Sequence, residues 1–104
     1  MHALSLPTWW IHITSVLEWF VAIVAVREFA RVSQQARWRW LAVAMVPALV
    51  SAMAACTWHL YDNSPALAPL VIIQAGLTLL GNTALAGASL WILAGVRAPS
   101  AQEP

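Results

Sequence analysis

The 104-residue chain contains no lysine, one cysteine and one tyrosine, and only 9% of its residues are charged. Each scarcity excludes something. Five arginines against four acidic residues leave a net charge of +1, which makes no electrostatic footprint for nucleic acid, so no nucleic-acid partner is expected. A lone cysteine, Cys56, can form neither an internal disulfide nor a cysteine-only metal cage. The opening MHALSLPTWW lacks the basic stretch and small-residue cleavage site of a secretory signal, and Met1 is expected to be the mature start. The chain also has no nucleophile beside a base, no glycine-rich phosphate loop and no pair of carboxylates at working spacing, so it is read as non-enzymatic.

What fills the sequence is apolar surface, with hydrophobic residues at 62%. A soluble domain of this size would need a polar exterior that so few charges cannot supply, whereas a bilayer solvates such a surface directly. Three apolar stretches each reach the roughly 20 residues needed to cross a hydrocarbon core of about 30 Å. The pattern predicts an all-α membrane protein with three transmembrane helices in an up-down-up bundle, over about 9–31, 39–61 and 66–96. These make a single domain, 1–98, followed by a disordered tail at 99–104. Thr8, after Pro7, is the expected cap of the first helix, and Pro47 predicts a kink in the second.

Arginine placement orients the bundle. Arg27, Arg31, Arg37 and Arg39 surround the first connection and Arg97 follows the third span, while Asp62-Asn63-Ser64 at the second connection has no basic residue. By the positive-inside rule the first connection and the C-terminus face the cytoplasm or stroma, and the N-terminus is non-cytoplasmic. Trp9, Trp10, Trp58 and Tyr61 then form one interfacial belt and Trp38 and Trp40 the other, leaving Trp19 and Trp91 within spans, free to pack on a partner or a pigment ring.

Polar side chains inside hydrocarbon are costly, so each needs a partner or a purpose. Gln74, Thr78 and Asn82 recur every four residues and share a helix face, as do Ala44, Ala48, Ala52 and Cys56 on the second span. Counting about 1.5 Å per residue from the non-cytoplasmic ends puts Glu18, Ser51 and Thr78 roughly 13 to 15 Å deep, near the midplane. They are expected to form one buried polar network, with Gln74 or Asn82 as further partners for the Glu18 carboxyl. Gly76, Gly81 and Gly87 read as points of close helix approach.

His12 and His59 lie near the non-cytoplasmic ends of antiparallel spans, at similar depth. An imidazole there serves one of four ends: a hydrogen bond to a loop or headgroup, axial ligation of a chlorophyll magnesium, paired ligation of a b-type haem, or binding of a plain metal ion. A triad with Glu18 is geometrically poor, because that carboxyl lies about 9 Å deeper than His12 and about 120° round the helix. The residues read as cofactor-binding are His59, His12, Trp58, Gln74 and Asn82, with His59 first and His12 second as magnesium ligand. Chlorophyll a or a carotenoid is the expected cofactor, and haem b the alternative.

The segments LSLPTWWIHITSVLEWF, WRWLAVAMVPALVSAMAACTWHLYDN and LVIIQAGLTLLGNTALA together resemble the small three-span membrane proteins of cyanobacteria and plastids known as the hypothetical chloroplast reading frame forty-nine family. The likeness covers about residues 4–96 and rests on LSLPTW-x-IH, the EW pair, PALVSAM followed by ACTWH, and QA-x-LT-x-x-GN in that order. It implies an oxygenic photosynthetic membrane, the thylakoid or else the cell membrane, with the Asp62-Asn63-Ser64 turn on the lumenal side. It implies no mechanism. The expectation drawn from residues and resemblance together is a small integral accessory subunit of a photosystem, in contact with membrane lipid and packed against larger subunits. A pigment-free assembly factor is the rival.

Overall fold

A computed structural model describes residues 2–97. The expected tail at 99–104 lies outside the described residues. Helix α1 spans Leu6–Ser33, α2 spans Ala36–Leu60, and α3 spans Pro69–Arg97 after a short 3₁₀ turn at Pro65–Leu67. All three helices are long and apolar enough to cross a membrane.

The cap of α1 is Ser5 rather than Thr8. Its hydroxyl accepts from the Thr8 backbone N–H at 3.4 Å and lies 2.8 Å from the Thr8 hydroxyl, and Pro7 occupies the first turn, where a missing N–H costs nothing. Because Ser5 starts the helix, α1 gains a turn over the expected span. Its other end closes on Gln34, left-handed at φ 58°, and both Gln34 and Gln35 donate their N–H to the Ala30 carbonyl. That closure turns the chain straight into α2.

The second connection is built differently. Asp62 and Asn63 both take positive φ, 54° and 57°, the region that these two residue types tolerate best among those with side chains. The Asp62 carboxylate accepts from the His2 backbone N–H at 2.5 Å, which ties the N-terminal segment to this turn and holds the Asp62 pKa below its ordinary value. Ser64 then caps the 3₁₀ turn through its hydroxyl, which accepts from the Ala66 N–H.

Helix α2 is the middle of the bundle: it packs along both α1 and α3, whereas α1 and α3 share no comparable interface. The three helices thus form a layer folded about α2, with an open cleft between the outer two. Few side chains are buried, and large apolar ones such as Phe20, Ile72, Leu79 and Leu90 stand exposed along the whole length. An apolar exterior of this extent is compatible with direct contact to membrane lipid.

At the arginine-rich end, Arg37 reaches from the start of α2 to α3. Its guanidinium donates to the Trp91 carbonyl at 2.5 Å and lies 4.9 Å from the centre of the Trp91 ring. Gly95 leaves room for it, since a Cβ there would stand 2.7 Å from an Arg37 nitrogen. Trp91, expected to be free for a partner or pigment, thus holds Arg37 while its own side chain stays exposed. Arg31 donates instead to Glu28 on its own helix.

Candidate functional site

The seam between α2 and α3 turns on Ser51 and Gly81. Gly81 is buried, and a Cβ there would lie 3.3 Å from the Ala48 nitrogen and 3.5 Å from Pro47 Cβ, so any side chain would push on the α2 backbone where glycine lets the two helices meet. One turn away, Ser51 Oγ lies 2.9 Å from the Gln74 carbonyl and 2.7 Å from Thr78 Oγ1, while Thr78 Oγ1 lies 2.8 Å from that same carbonyl. Two hydroxyl protons fill two of these three edges at a time, and every such arrangement leaves both hydroxyls hydrogen-bonded. Gly76 and Gly87, read as approach points alongside Gly81, have nothing within 4 Å of the position a Cβ would take and face away from the bundle.

The Ser51–Thr78 half of the expected polar network is present, and its Glu18 part is not. Glu18 is exposed and borders a shallow hollow with Thr14, Leu17, Val21 and Ala22 on the outside of α1. The reason is rotational: depth alone put the three residues in one layer, but α1 turns Ser15 and Trp19 towards the cleft and leaves Glu18 roughly 60° to 100° round from them.

The cleft between α1 and α3 has a volume of about 320 Å³. Its floor is the small-residue stripe of α2, with Ala48, Ala52 and Cys56; one wall carries His12, Ser15 and Trp19, and the other Gln74, Thr78 and Asn82. Towards the Asp62-Asn63-Ser64 turn it adjoins a recess of about 180 Å³ that adds Trp58 and His59 and shares His12 and Gln74. The five residues read from the sequence as cofactor-binding, His59, His12, Trp58, Gln74 and Asn82, thus line these two adjoining hollows. The side-chain amides of Gln74 and Asn82 have no hydrogen-bond partner among the described residues.

The two imidazoles are locked from one side. His12 Nδ1 donates to the Thr8 carbonyl at 3.0 Å, and His59 Nδ1 donates to Asn63 Oδ1 at 2.7 Å. Both acceptors are oxygens without a proton to give, so each ring carries a hydrogen on Nδ1, and the neutral tautomer that fits this bond has its lone pair on Nε2. This is the arrangement by which proteins orient a histidine for metal ligation. The rings touch edge to face, with centroids 5.2 Å apart, and the indoles of Trp9 and Trp58 pack around His59 at 6.3 Å and 5.6 Å. That contact leaves no slot between the rings for a macrocycle, so a haem held between His12 and His59 does not fit. Among the described residues no group of three or more histidine, cysteine or acidic side chains is gathered for a bare metal ion.

Asn63, four residues beyond His59, lies in the turn that follows α2, so no helical spacing pointed to it as the partner of the imidazole. Trp9 has a different fate from its expected place in the belt: it is buried at 9% exposure, and its Nε1–H has no partner within the described residues. Trp58 anchors the end of α2 by donating from Nε1 to the Ser64 carbonyl at 3.2 Å.

Over residues 3–91 the sequence matches the family described as "Protein of unknown function (DUF2499)". The chain belongs to this family. It is 50% identical over 104 residues, all of both chains, to a "Ycf49-like protein" of Synechocystis sp., and 31% identical over 85 residues to the "Uncharacterized protein ycf49" of Cyanophora paradoxa, covering 82% of this chain and 83% of that one. The resemblance drawn from the four motifs is thereby shown, and with it the cyanobacterial and plastid setting of the relatives. No solved structure matches the chain.

Proposed function

We propose that this member of the family is a small, non-enzymatic accessory subunit of a photosynthetic membrane complex. It sits in the thylakoid membrane with the Asp62-Asn63-Ser64 turn on the lumenal side, packs against larger subunits, and holds a chlorophyll. The observation that carries the pigment reading is the pair of imidazoles at the end of a laterally open cleft, each fixed through Nδ1 with Nε2 unused. His59 is the ligand assigned to the magnesium, because its ring is flanked by Trp9 and Trp58, aromatic faces suited to a conjugated ring. His12 stands second. Bound there, chlorophyll would supply light absorption, and the chain's own part is to orient a neutral imidazole and to keep water from the site. The cyanobacterial and plastid origin of the relatives supports the setting. A carotenoid lying along the alanine floor of the cleft would need no ligand.

The test is the absorption spectrum of the protein purified in mild detergent from native membranes. A chlorophyll band in fixed ratio to the chain, recovered with a mature complex, is the expected outcome; a colourless chain in the mature complex removes the pigment reading.

One observation favours the assembly-factor alternative. The unpartnered amides of Gln74 and Asn82 line a cleft that opens sideways into the bilayer, which suits transient capture of a client helix. A chain recovered only with incomplete complexes, and without pigment, is what that alternative requires.

A further inference from the structure

Glu18 is the one acidic side chain in the middle of a span. It is the thirteenth residue of the 28-residue α1, so the helix extends about 18 Å towards one end and about 22 Å towards the other. Its carboxyl faces outwards, and among the described residues it has no hydrogen-bond or ion-pair partner. The nearest polar neighbour on its face, Thr14, gives its hydroxyl proton to the Trp10 carbonyl at 2.6 Å. An ionisable group at mid-membrane faces the interior of a bundle in nearly all membrane proteins. Here the three helices put it outside, so the bundle whose interior it faces is a larger one.

The chain cannot supply the missing partner. All five arginines stand near the opposite helix ends, the nearest along α1 being Arg27, about 13 Å further on. His12 lies about 9 Å the other way and is committed to Thr8. A second copy meeting the first through this face would set carboxyl against carboxyl and bring no cation to that depth. Ala22, one turn beyond Glu18, and Thr14, one turn before it, keep the face shallow enough for another helix to approach.

We propose that the Glu18 face of α1 docks a transmembrane helix of a different membrane protein that carries an arginine or lysine near mid-membrane, paired with the Glu18 carboxylate. This deepens the accessory-subunit reading by naming the chemistry of the larger partner. It rests on the packing part of that reading and is independent of any pigment.

The test uses the full chain, donor-labelled in liposomes, with acceptor-labelled leucine-alanine helices that span the bilayer and carry one central arginine or, as a comparison, one central leucine. Energy transfer is expected to show the arginine helix binding roughly tenfold tighter than the leucine helix, with the preference lost in Glu18→Leu and reduced in Glu18→Gln. Because Glu18 is exposed and makes no hydrogen bond or ion pair among the described residues, both variants are expected to keep the wild-type helical circular dichroism. Equal transfer to the two peptides, or a preference that survives Glu18→Leu, overturns the proposal. So does self-association of donor- and acceptor-labelled chains that Glu18→Leu abolishes, since the occupant is then a second copy. None of these readouts involves pigment, so a colourless chain with a Glu18-dependent preference defeats the pigment reading alone.

Discussion

Gly81→Leu is expected to part α2 from α3 and to lower stability by about 1–3 kcal/mol, the usual range for forcing carbon into a packed seam. The obstacle is backbone, since a Cβ at this position already stands 3.3 Å from the Ala48 nitrogen, and leucine adds three further carbons beyond it. Parting the helices here also breaks the neighbouring triangle, because Thr78 is one turn from Gly81 and Ser51 one turn from Pro47 and Ala48. An interhelical hydrogen bond in a bilayer contributes about 0.6 kcal/mol on average, so the steric term dominates. Unfolding by SDS in mixed micelles, followed by tryptophan fluorescence, measures the loss. Gly87→Leu is the matched control: with nothing within 4 Å of a Cβ, it is expected to stay within about 0.5 kcal/mol of wild type. Equal losses from the two substitutions would show that the α2–α3 seam does not run through Gly81.

His59→Leu is expected to remove one chlorophyll per chain, since leucine has no lone pair to offer the magnesium. Asn63→Ala is the sharper variant, because it leaves the ligand in place and removes only the oxygen 2.7 Å from Nδ1 that fixes the tautomer and ring plane. Loss of such an orienting partner typically weakens metal retention about 10- to 100-fold, so this pigment is expected to wash out in detergent faster while the folded chain persists. His12→Leu is expected to retain the pigment. Bound pigment per chain after purification, read from the absorption spectrum, separates the three variants; loss on His12→Leu with retention on His59→Leu would transfer the ligand role to His12.

The arrangement of helices was largely legible, because in a bilayer the apolar span and its arginine flanks are dictated by the solvent rather than by neighbours. Helix ends were less so. The hydroxyl of Ser5 and that of Thr8 are equally good caps in composition, and only the position of Pro7 in the first turn favours the earlier one. The polar lining of α3 was legible from its spacing of four, as was the small-residue floor of α2. What spacing could not convey was rotation. Depth placed Glu18 level with Ser51 and Thr78, but whether a residue looks into a bundle or out of it depends on which neighbours the helix has. The sequence does not say that α1 packs along α2 and not along α3. Trp9 failed for the same reason: an indole near a membrane boundary belongs to the interfacial belt unless a ring such as His59 waits behind it.

Everything above depends on the chain crossing the bilayer three times, and sidedness tests that most directly. In a Cys56→Ala background, single cysteines replace Ala36 at the arginine-rich connection and Ala66 beyond the second turn, both exposed positions. With the chain expressed in a bacterial plasma membrane, a membrane-impermeant maleimide is expected to label the cysteine at 66 in intact cells and the one at 36 only after the cells are opened. Labelling of both positions from the same side would contradict a second span between them, and with it the cleft, the midplane carboxyl and the sites built on them.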